Sequence, residues 1–338
     1  FADPARPAAD ARSRENSASL RASVAGGGTH RRVEAGLELR EDRGSGTDLE
    51  ATTSRRDAAL HAGLRWRPGA GALVLSPALR IDRLEMGTGA GQGDARSHSF
   101  LSPSLAAAVA LRPGVSLRAF AGRAFRYPGF QSLAFVPGLG VRGNPHLREE
   151  RSRDLELGLD WAPDPRVGAS LAAYERRIDG PIVWLPDFRF VWSPRNLPRA
   201  LVRGVDLAAR WSSSAGLEAT LAYTYAPARF DFPGNRHPLP YRPAHLGRLG
   251  MALERGAVHT AVDLRLTGRR HPTLAGTNAL PAHAVLDWSL AWRRARSEHG
   301  ELVLELALQN LLERRYEVVA GFPAAGRTLR VGARAALP

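Results

Sequence analysis

The residues with most to offer chemically are arginines set among aromatic rings. Arg126, Tyr127, Phe130, Phe135, Arg142 and His146 fall in one stretch, and Trp184, Phe188, Phe190, Trp192 and Arg195 in a second. Arg229, Phe230, Asp231, Arg236, His237 and Tyr241 form a third, and Arg269, Arg270 and His271 a fourth. A guanidinium attracts anions and stacks on rings, and a ring offers its face to cations and flat ligands. Such clusters suit capture of an anionic or aromatic ligand. They also suit contact with the phosphates of a lipopolysaccharide surface, or ordinary loop solvation. The candidate ligand contacts are therefore Arg126, Tyr127, Phe135, Arg142, His146, Trp184, Phe188, Phe190, Trp192, Arg195, Arg229, Arg236, His237, Tyr241, Arg270 and His271.

Catalysis finds less support. The ten histidines show no metal-ligand spacing, and there is no cysteine to serve as thiolate ligand or nucleophile. Neither His-Glu-x-x-His nor Gly-x-Ser-x-Gly occurs. The run "GLGVRG" (138–143) matches Gly-x-Gly-x-x-Gly, but Asn144-Pro145 follows where a dinucleotide site needs a helix. It reads as a loop. We expect no catalytic residue, no metal site and no cofactor.

The basic residues number 47, all arginine, in 338 residues of net charge +14. They are spread along the chain and not gathered on one helix, which argues against a nucleic-acid partner. No run of about 18 apolar residues is present, so no transmembrane helix is expected. The first residues, "FADPARPAAD", lack the basic and apolar regions of a signal peptide. Any export signal would lie outside this chain.

What must position the clusters is a set of strands. In "GELVLELALQ" (300–309) Leu302, Leu304, Leu306 and Leu308 alternate with Val303, Glu305 and Ala307. Strict alternation marks a strand with one apolar and one polar face. The same pattern recurs in "DLELGLDW" (154–161), "GVDLAARW" (204–211), "AVDLRLTGR" (261–269) and "AVLDWSLAW" (284–292). About fifteen strands are expected, near 17–25, 29–41, 56–67, 71–84, 98–111, 114–126, 151–162, 166–185, 188–211, 215–226, 242–254, 257–269, 282–294, 300–312 and 327–337.

Turns and loops alternate in length. Tight ones, such as "RPG" (112–114), "PDP" (163–165) and "ERG" (254–256), are rich in Pro and Gly. Long ones lie at 42–55, 85–97, 127–150, 227–241, 270–281 and 313–326. A transmembrane β-barrel sorts its connections this way, with short turns on one side of the membrane and long loops on the other. Trp66, Trp161, Trp211 and Trp292 each precede a short turn, in phase with the apolar face of their strand. They read as an aromatic girdle at a membrane interface. The fold class expected is all-β, an antiparallel up-and-down transmembrane barrel. Leu304→Arg should then cost roughly 2–4 kcal/mol and Val303→Arg little. An odd count cannot close with both ends on one side, so the chain reads as the C-terminal part of a larger barrel, one partial barrel domain over 1–338.

Three stretches carry a family resemblance. "FRYPGFQSL" with "GNPHLREERS" (125–133, 143–152), "ERRIDGPIVW" with "RNLPRALVRGVDL" (175–184, 195–207) and "NLLERRYEVVAGFPAAGRTLRVG" (310–332) are similar to segments of TonB-dependent outer-membrane receptors. The style is closest to cobalamin and siderophore receptors. The resemblance implies a twenty-two-stranded barrel plugged by an N-terminal domain, of which this chain would hold the last two-thirds without the plug. It implies location in the bacterial outer membrane. Its implied partners are the TonB energy-transducing complex, acting through the missing N-terminal region, lipopolysaccharide, and a small ligand such as an iron chelate or cobalamin. Asn310, Tyr316, Gly321, Pro323, Gly326 and Arg327 match the family's closing hairpin and are expected to set strand closure, not binding. Such receptors usually end in an aromatic residue, and "AALP" departs from that. Two other readings stand beside active uptake: a passive diffusion channel and a surface β-protein acting as an adhesin.

Overall fold

The computed structural model describes residues 13–46, 49, 53–69, 71–88, 96–135, 140–297 and 300–336. The strands are β1 (Ser13–Gly27), β2 (Arg31–Gly46), β3 (Thr53–Trp66), β4 (Leu73–Thr88), β5 (Arg96–Arg112), β6 (Val115–Arg126), β7 (Glu150–Asp164), β8 (Val167–Asp179), β9 (Ile182–Pro186) and β10 (Trp192–Asn196). They continue with β11 (Arg199–Ser212), β12 (Leu217–Tyr225), β13 (Ala228–Phe230), β14 (His245–Arg255), β15 (Val258–Thr267), β16 (His283–Ser297), β17 (Gly300–Gln309), β18 (Glu317–Val319), β19 (Phe322–Pro323) and β20 (Thr328–Ala336). The one helix among the described residues, α1 (Phe130–Ala134), is five residues long.

Fifteen of these strands pair in the order β1-β2-β3-β4-β5-β6-β7-β8-β11-β12-β14-β15-β16-β17-β20, with β13 added beside β11. Neighbours along this path pair antiparallel, for example β1 with β2, where Leu20 lies opposite Leu39, and β17 with β20, where Leu304 lies opposite Ala333. β1 and β20 are the two ends of this path, so the sheet is a partial barrel, not closed on itself. The expected count of fifteen holds for the path, but two boundaries do not. The run 166–185 ends as β8 at Asp179, and the run 188–211 enters the sheet only at Arg199. What lies between, β9 and β10, is a separate two-stranded hairpin. Alternation continues through it, but Pro181 and Pro198 bracket it and offer no N–H to a ladder. With 180–198 recognised as a long connection, short and long connections alternate along the path from β5 to β20.

The chain divides into two compact units. The first comprises Phe1–Ala107, Phe120–Leu155 and Arg177–Ala200, and the second Ala108–Ala119, Glu156–Arg176 and Leu201–Pro338. In the second unit the faces segregate as alternation requires. Val262, Trp288 and Leu308 are successive cross-strand partners, as are Val258, Trp292 and Leu304. The opposite face carries a charged ladder. Arg248 pairs with Asp263 at 2.6 Å, Arg265 reaches Asp263 at 3.8 Å and also pairs with Asp287. Asp263 and Asp287 face each other directly across the strands, so the arginine between them offsets a like-charge contact. Two short turns need glycine. Gly114 (φ 74°) and Gly216 (φ 81°) would each place a Cβ within 2.5 Å of a carbonyl oxygen, of Ala162 and Glu254 respectively.

The first unit repeats the scheme. Leu37, Leu60 and Ile81 are successive partners on one face and are exposed. On the other, Arg21 and Arg80 hold Glu38 at 2.9 and 3.1 Å, and Arg80 also holds Asp82 at 2.8 Å. Asp42, 1% exposed, accepts from Ser17, from Arg40 at 2.8 Å and from Arg55 at 2.5 Å. A buried charge is tolerable only with such partners.

Candidate ligand-binding site

In the first unit the long connections build an ordered layer on the strand ends. Its core is Leu49, Leu84, Met86, Phe100, Leu133, Ala134 and Leu147, with Phe125, Tyr127 and Ile182 packed against it. Phe100 stacks on Phe125 at 4.0 Å between centroids. The backbone approaches closely where α1 meets the segment after it: a Cβ on Gly143 would lie 2.5 Å from the Phe135 nitrogen. Half-buried polar side chains fix the rest. Asn144 donates to the Pro194 carbonyl at 2.9 Å. Asn196 donates to Gly180 and Arg148 carbonyls and accepts from the Arg148 N–H. Glu150 accepts from the Ile182 N–H at 2.6 Å and from Arg126 at 2.7 Å.

The β9–β10 hairpin projects from this layer. Val141 bridges to Trp192, and the Trp192 N–H donates to the Gly140 carbonyl at 2.7 Å. Its tip is built by Asp187. One carboxylate oxygen accepts the N–H groups of Arg189 and Val191 at 2.8 and 3.0 Å. These bonds, that to Val191 first, hold the Asp187 carboxyl below its ordinary pKa. Arg142 lies 3.8 Å away, and Phe190 takes a left-handed conformation (φ 60°). The result presents Phe188 and Phe190 at 86% and 80% exposure. Arg189 lies over the Phe188 ring, 5.1 Å from its centroid. Exposed rings on a hydrogen-bonded turn form a preorganised contact for a flat or apolar ligand.

Of the residues singled out in sequence, Arg126, Tyr127, Phe135, Arg142, His146, Trp184, Phe188, Phe190, Trp192 and Arg195 all belong to this layer or its hairpin. Tyr127 faces inward onto the core and Arg126 is tied to Glu150, whereas Arg142, His146, Phe188, Phe190, Trp192 and Arg195 are exposed. Asp187, Asn144, Asn196 and Glu150, which shape the layer, were not singled out. An Asx turn at "PDFR" and an Asn before Pro145 are the signals that could have marked two of them.

The second unit holds Arg229, Arg236, His237, Tyr241, Arg270 and His271. Arg229, Arg236, His237 and Tyr241 are exposed around Phe230, which is fully buried. The Tyr241 N–H donates to the His271 carbonyl at 2.8 Å, and His271 Nδ1 lies 2.7 Å from the Gly276 carbonyl. Arg270 differs from the others. It is 7% exposed, and its guanidinium donates to the Glu317 and Val318 carbonyls at 2.6 and 3.1 Å. Its charge is committed to the β18–β19 hairpin.

The closing segment is organised by Asn310, 4% exposed with φ 51°. Its N–H donates to Asp287 at 2.8 Å, its amide to the Arg314 and Ala325 carbonyls, and its Oδ1 accepts the Arg314 N–H. Tyr316 stacks on His283 at 4.3 Å, Arg327 donates to the Leu311 carbonyl, and Gly321 (φ 82°) turns beside Pro323. Gly326 accepts from the Thr328 hydroxyl. Trp66 ends β3, Trp211 is next to last in β11, and Trp161 and Trp292 lie near the ends of β7 and β16. Residues 138–139 of "GLGVRG", residues 89–95 of the 85–97 loop and the terminal Leu337-Pro338 lie outside the described residues. Among the described residues no group of three or more His, Cys, Asp or Glu is placed to hold a metal, and no helix is long and apolar enough to cross a membrane.

An antiparallel meander with segregated faces and structured long connections defines a class, and sequence comparison gives the family. Residues 8–311 match the family model "TonB dependent receptor-like, beta-barrel", and the chain belongs to that family. Among solved structures, it resembles the copper transporter OprC (TM-score 0.77, 16% identity, 96% of this chain and 56% of that one). It also resembles the FrpB iron transporter from Neisseria meningitidis, F3-3 variant (0.74, 15%, 96% and 55%). A third is the ferric yersiniabactin uptake receptor FyuA from Yersinia pestis (0.71, 17%, 95% and 52%). The chain spans little more than half the length of these structures. Curated proteins give no match.

Proposed function

We propose that this chain is the barrel wall and outer vestibule of an outer-membrane receptor for energised uptake of a scarce ligand. A ferric siderophore or cobalamin fits the exposed arginines and rings. The observation that carries the reading is the fifteen-strand path with leucine rows on one face and an arginine–carboxylate ladder on the other. The leucine face suits lipid and the ladder a wet lumen. Trp66, Trp161, Trp211 and Trp292 would then lie at the membrane interface beside the short turns, with the long connections outside the cell. The family relationship supports coupling to TonB and argues against an enzyme.

The work of such a protein is differential binding. A ligand held by the vestibule in one state and released in another is moved without any bond being made or broken. Phe188 and Phe190 on their fixed tip, with Arg142 and Arg189 beside them, supply stacking and charge for an aromatic or anionic chelate.

The test uses the complete receptor gene in a strain lacking other receptors. Uptake of ferric catecholate, ferric hydroxamate and cyanocobalamin is measured with and without a protonophore and with TonB deleted. Uptake of one of them that stops in both cases supports the proposal. Energy-independent permeation of small solutes of every kind, with steady conductance in a planar bilayer, would mean a passive channel.

A further inference from the structure

The second unit brings two histidines to one glycine. His237 lies in the connection from β13 to β14, and His271 in that from β15 to β16. Both meet Gly276, which is left-handed (φ 70°). A Cβ built on Gly276 would lie 3.7 Å from His237 Nδ1 and 3.9 Å from His271 Nδ1. Two imidazoles from different connections thus converge on one point. No local motif holds both, so the spacing of histidines in the sequence does not show the pair.

The backbone fixes where each ring starts. The His237 carbonyl accepts the Phe230 N–H at 3.0 Å, and its own N–H donates to Asn235 Oδ1 at 3.0 Å. Gly276 closes a turn by donating to the Thr273 carbonyl at 3.1 Å, and the next N–H, of Thr277, donates to the Thr273 hydroxyl at 3.1 Å. The Tyr241 N–H, which donates to the His271 carbonyl, already ties the two connections together.

The hydrogen bonds also set the chemistry of the rings. His271 Nδ1 lies 2.7 Å from the Gly276 carbonyl oxygen. A carbonyl only accepts, so Nδ1 carries the proton and Nε2 keeps its lone pair. Metal-bound imidazoles have this arrangement, one nitrogen donating to a carbonyl and the other free to ligate. The His237 ring is exposed and makes no hydrogen bond among the described residues, so it is free to turn toward its neighbour. The adjacent Arg270 guanidinium is held by the Glu317 and Val318 carbonyls. Two imidazoles without a third protein ligand leave the other positions to water. Such a nitrogen pair suits a borderline divalent transition metal, with Cu2+ the tightest of the first-row series, and not the oxygen-seeking Ca2+ or Mg2+.

We propose that His237 and His271 bind one Cu2+ ion between them, so that the metal clasps the β13–β14 and β15–β16 connections. The ion here is a bridge between loops, and the site does not depend on the uptake reading above.

The test uses the complete receptor, purified in detergent without a polyhistidine tag and stripped with a chelator. One equivalent of CuCl2 is added, the Cu2+ EPR spectrum is read for nitrogen superhyperfine splitting, and affinity is measured by competition with a fluorescent chelator. The expected wild-type spectrum shows two imidazole nitrogens. H237Q and H271Q should each lose one nitrogen and bind Cu2+ about tenfold more weakly or worse, since loss of a ligand costs at least what loss of an outer-shell partner does. H30Q, in the short turn between β1 and β2, should change neither property. Heat-modifiable gel mobility checks that each variant is folded, and H237Q, at an exposed side chain, decides the matter should H271Q misfold. An unchanged spectrum and affinity in folded H237Q overturn the proposal. So does a wild-type spectrum with a single nitrogen. Neither readout involves transport, so failure of the uptake proposal leaves this result standing, and failure here leaves uptake untouched.

Discussion

The backbone N–H of Asn310 donates to Asp287 Oδ1 at 2.8 Å. That single bond joins the charged ladder on β14–β16 to the first residue beyond β17. Asn310 is also left-handed and nearly buried, so one residue serves the turn, the ladder through its N–H and the closing segment through its side chain.

Asn310→Ala should therefore destabilise the protein by about 2–3 kcal/mol, since it strands the Arg314 N–H and two carbonyls and forces alanine into φ > 0. Asn310→Gly relieves the backbone strain but not the lost bonds, and should fall between. Urea unfolding in lipid vesicles would read both. Equal losses for Ala and Gly would show that backbone strain plays no part.

Asp187 gives a pH dependence. Its carboxyl is held below the ordinary range by the Val191 and Arg189 N–H groups, so the ionised form stabilises the tip. That contribution is complete above the unfolded carboxylate pKa of about 4 and is lost as pH falls through the lower folded value. Hydrogen exchange at Arg189 and Val191, corrected for intrinsic rate, should show protection from neutral pH down to about pH 4 and opening below it. Asp187→Ala should leave both amides unprotected at every pH. Protection surviving in that variant would contradict the assignment.

Leu304→Arg places a charge on the leucine face opposite Trp292 and Ala333, and should cost roughly 2–4 kcal/mol if it sits near mid-bilayer. The partners of the neighbouring position alter the control. Val303 faces Arg293 and Arg334, so a third arginine there is repelled and Val303→Arg is not the neutral change that alternation alone suggests. Val303→Gln is the fair comparison and should cost well under 1 kcal/mol. Similar costs for Leu304→Arg and Val303→Gln would mean that the leucines do not face lipid.

Gly143→Ala would push a methyl group into the backbone at Leu133 and Phe135, 2.5–2.8 Å away. The layer under the hairpin must shift while the sheet stays intact. Ligand affinity should fall with little change in unfolding midpoint. Gly129→Ala, with nothing within 4 Å, is the matched control.

Phe188→Ala and Phe190→Ala remove exposed rings and should leave stability unchanged while weakening ligand binding. Phe230→Ala, at a fully buried ring, should cost about 3–5 kcal/mol. Uptake that is normal in a Phe188/Phe190 double variant would remove the tip from the binding surface.

The sheet was legible because period-two alternation is enforced by two different solvents on its faces, and one residue of slip would invert them. Leu302–Leu308 and Trp288–Trp292 fell where the pattern placed them. The β9–β10 hairpin was not legible as separate, because its own alternation is strand-like and only Pro181 and Pro198 disclose that it leaves the ladder. The candidate site was half legible. Rings and arginines announce themselves by type, but which of them face outward depends on partners far away in sequence. Arg270 shows this: it reads as a loop cation, yet its guanidinium is spent on carbonyls some 47 residues on. Asn310 was legible in place but not in reach.

The ladders have a further consequence for how this wall meets electrolytes. Every base in Arg248–Asp263–Arg265–Asp287 is a guanidinium, a weakly hydrated planar fork, and Arg265 is shared between two carboxylates. The polar face is thus an ion exchanger in which carboxylates act as built-in counter-ions. A mobile anion gains a place on it only by competing with those fixed ones. Anion retention on this face should therefore weaken steadily as ionic strength rises.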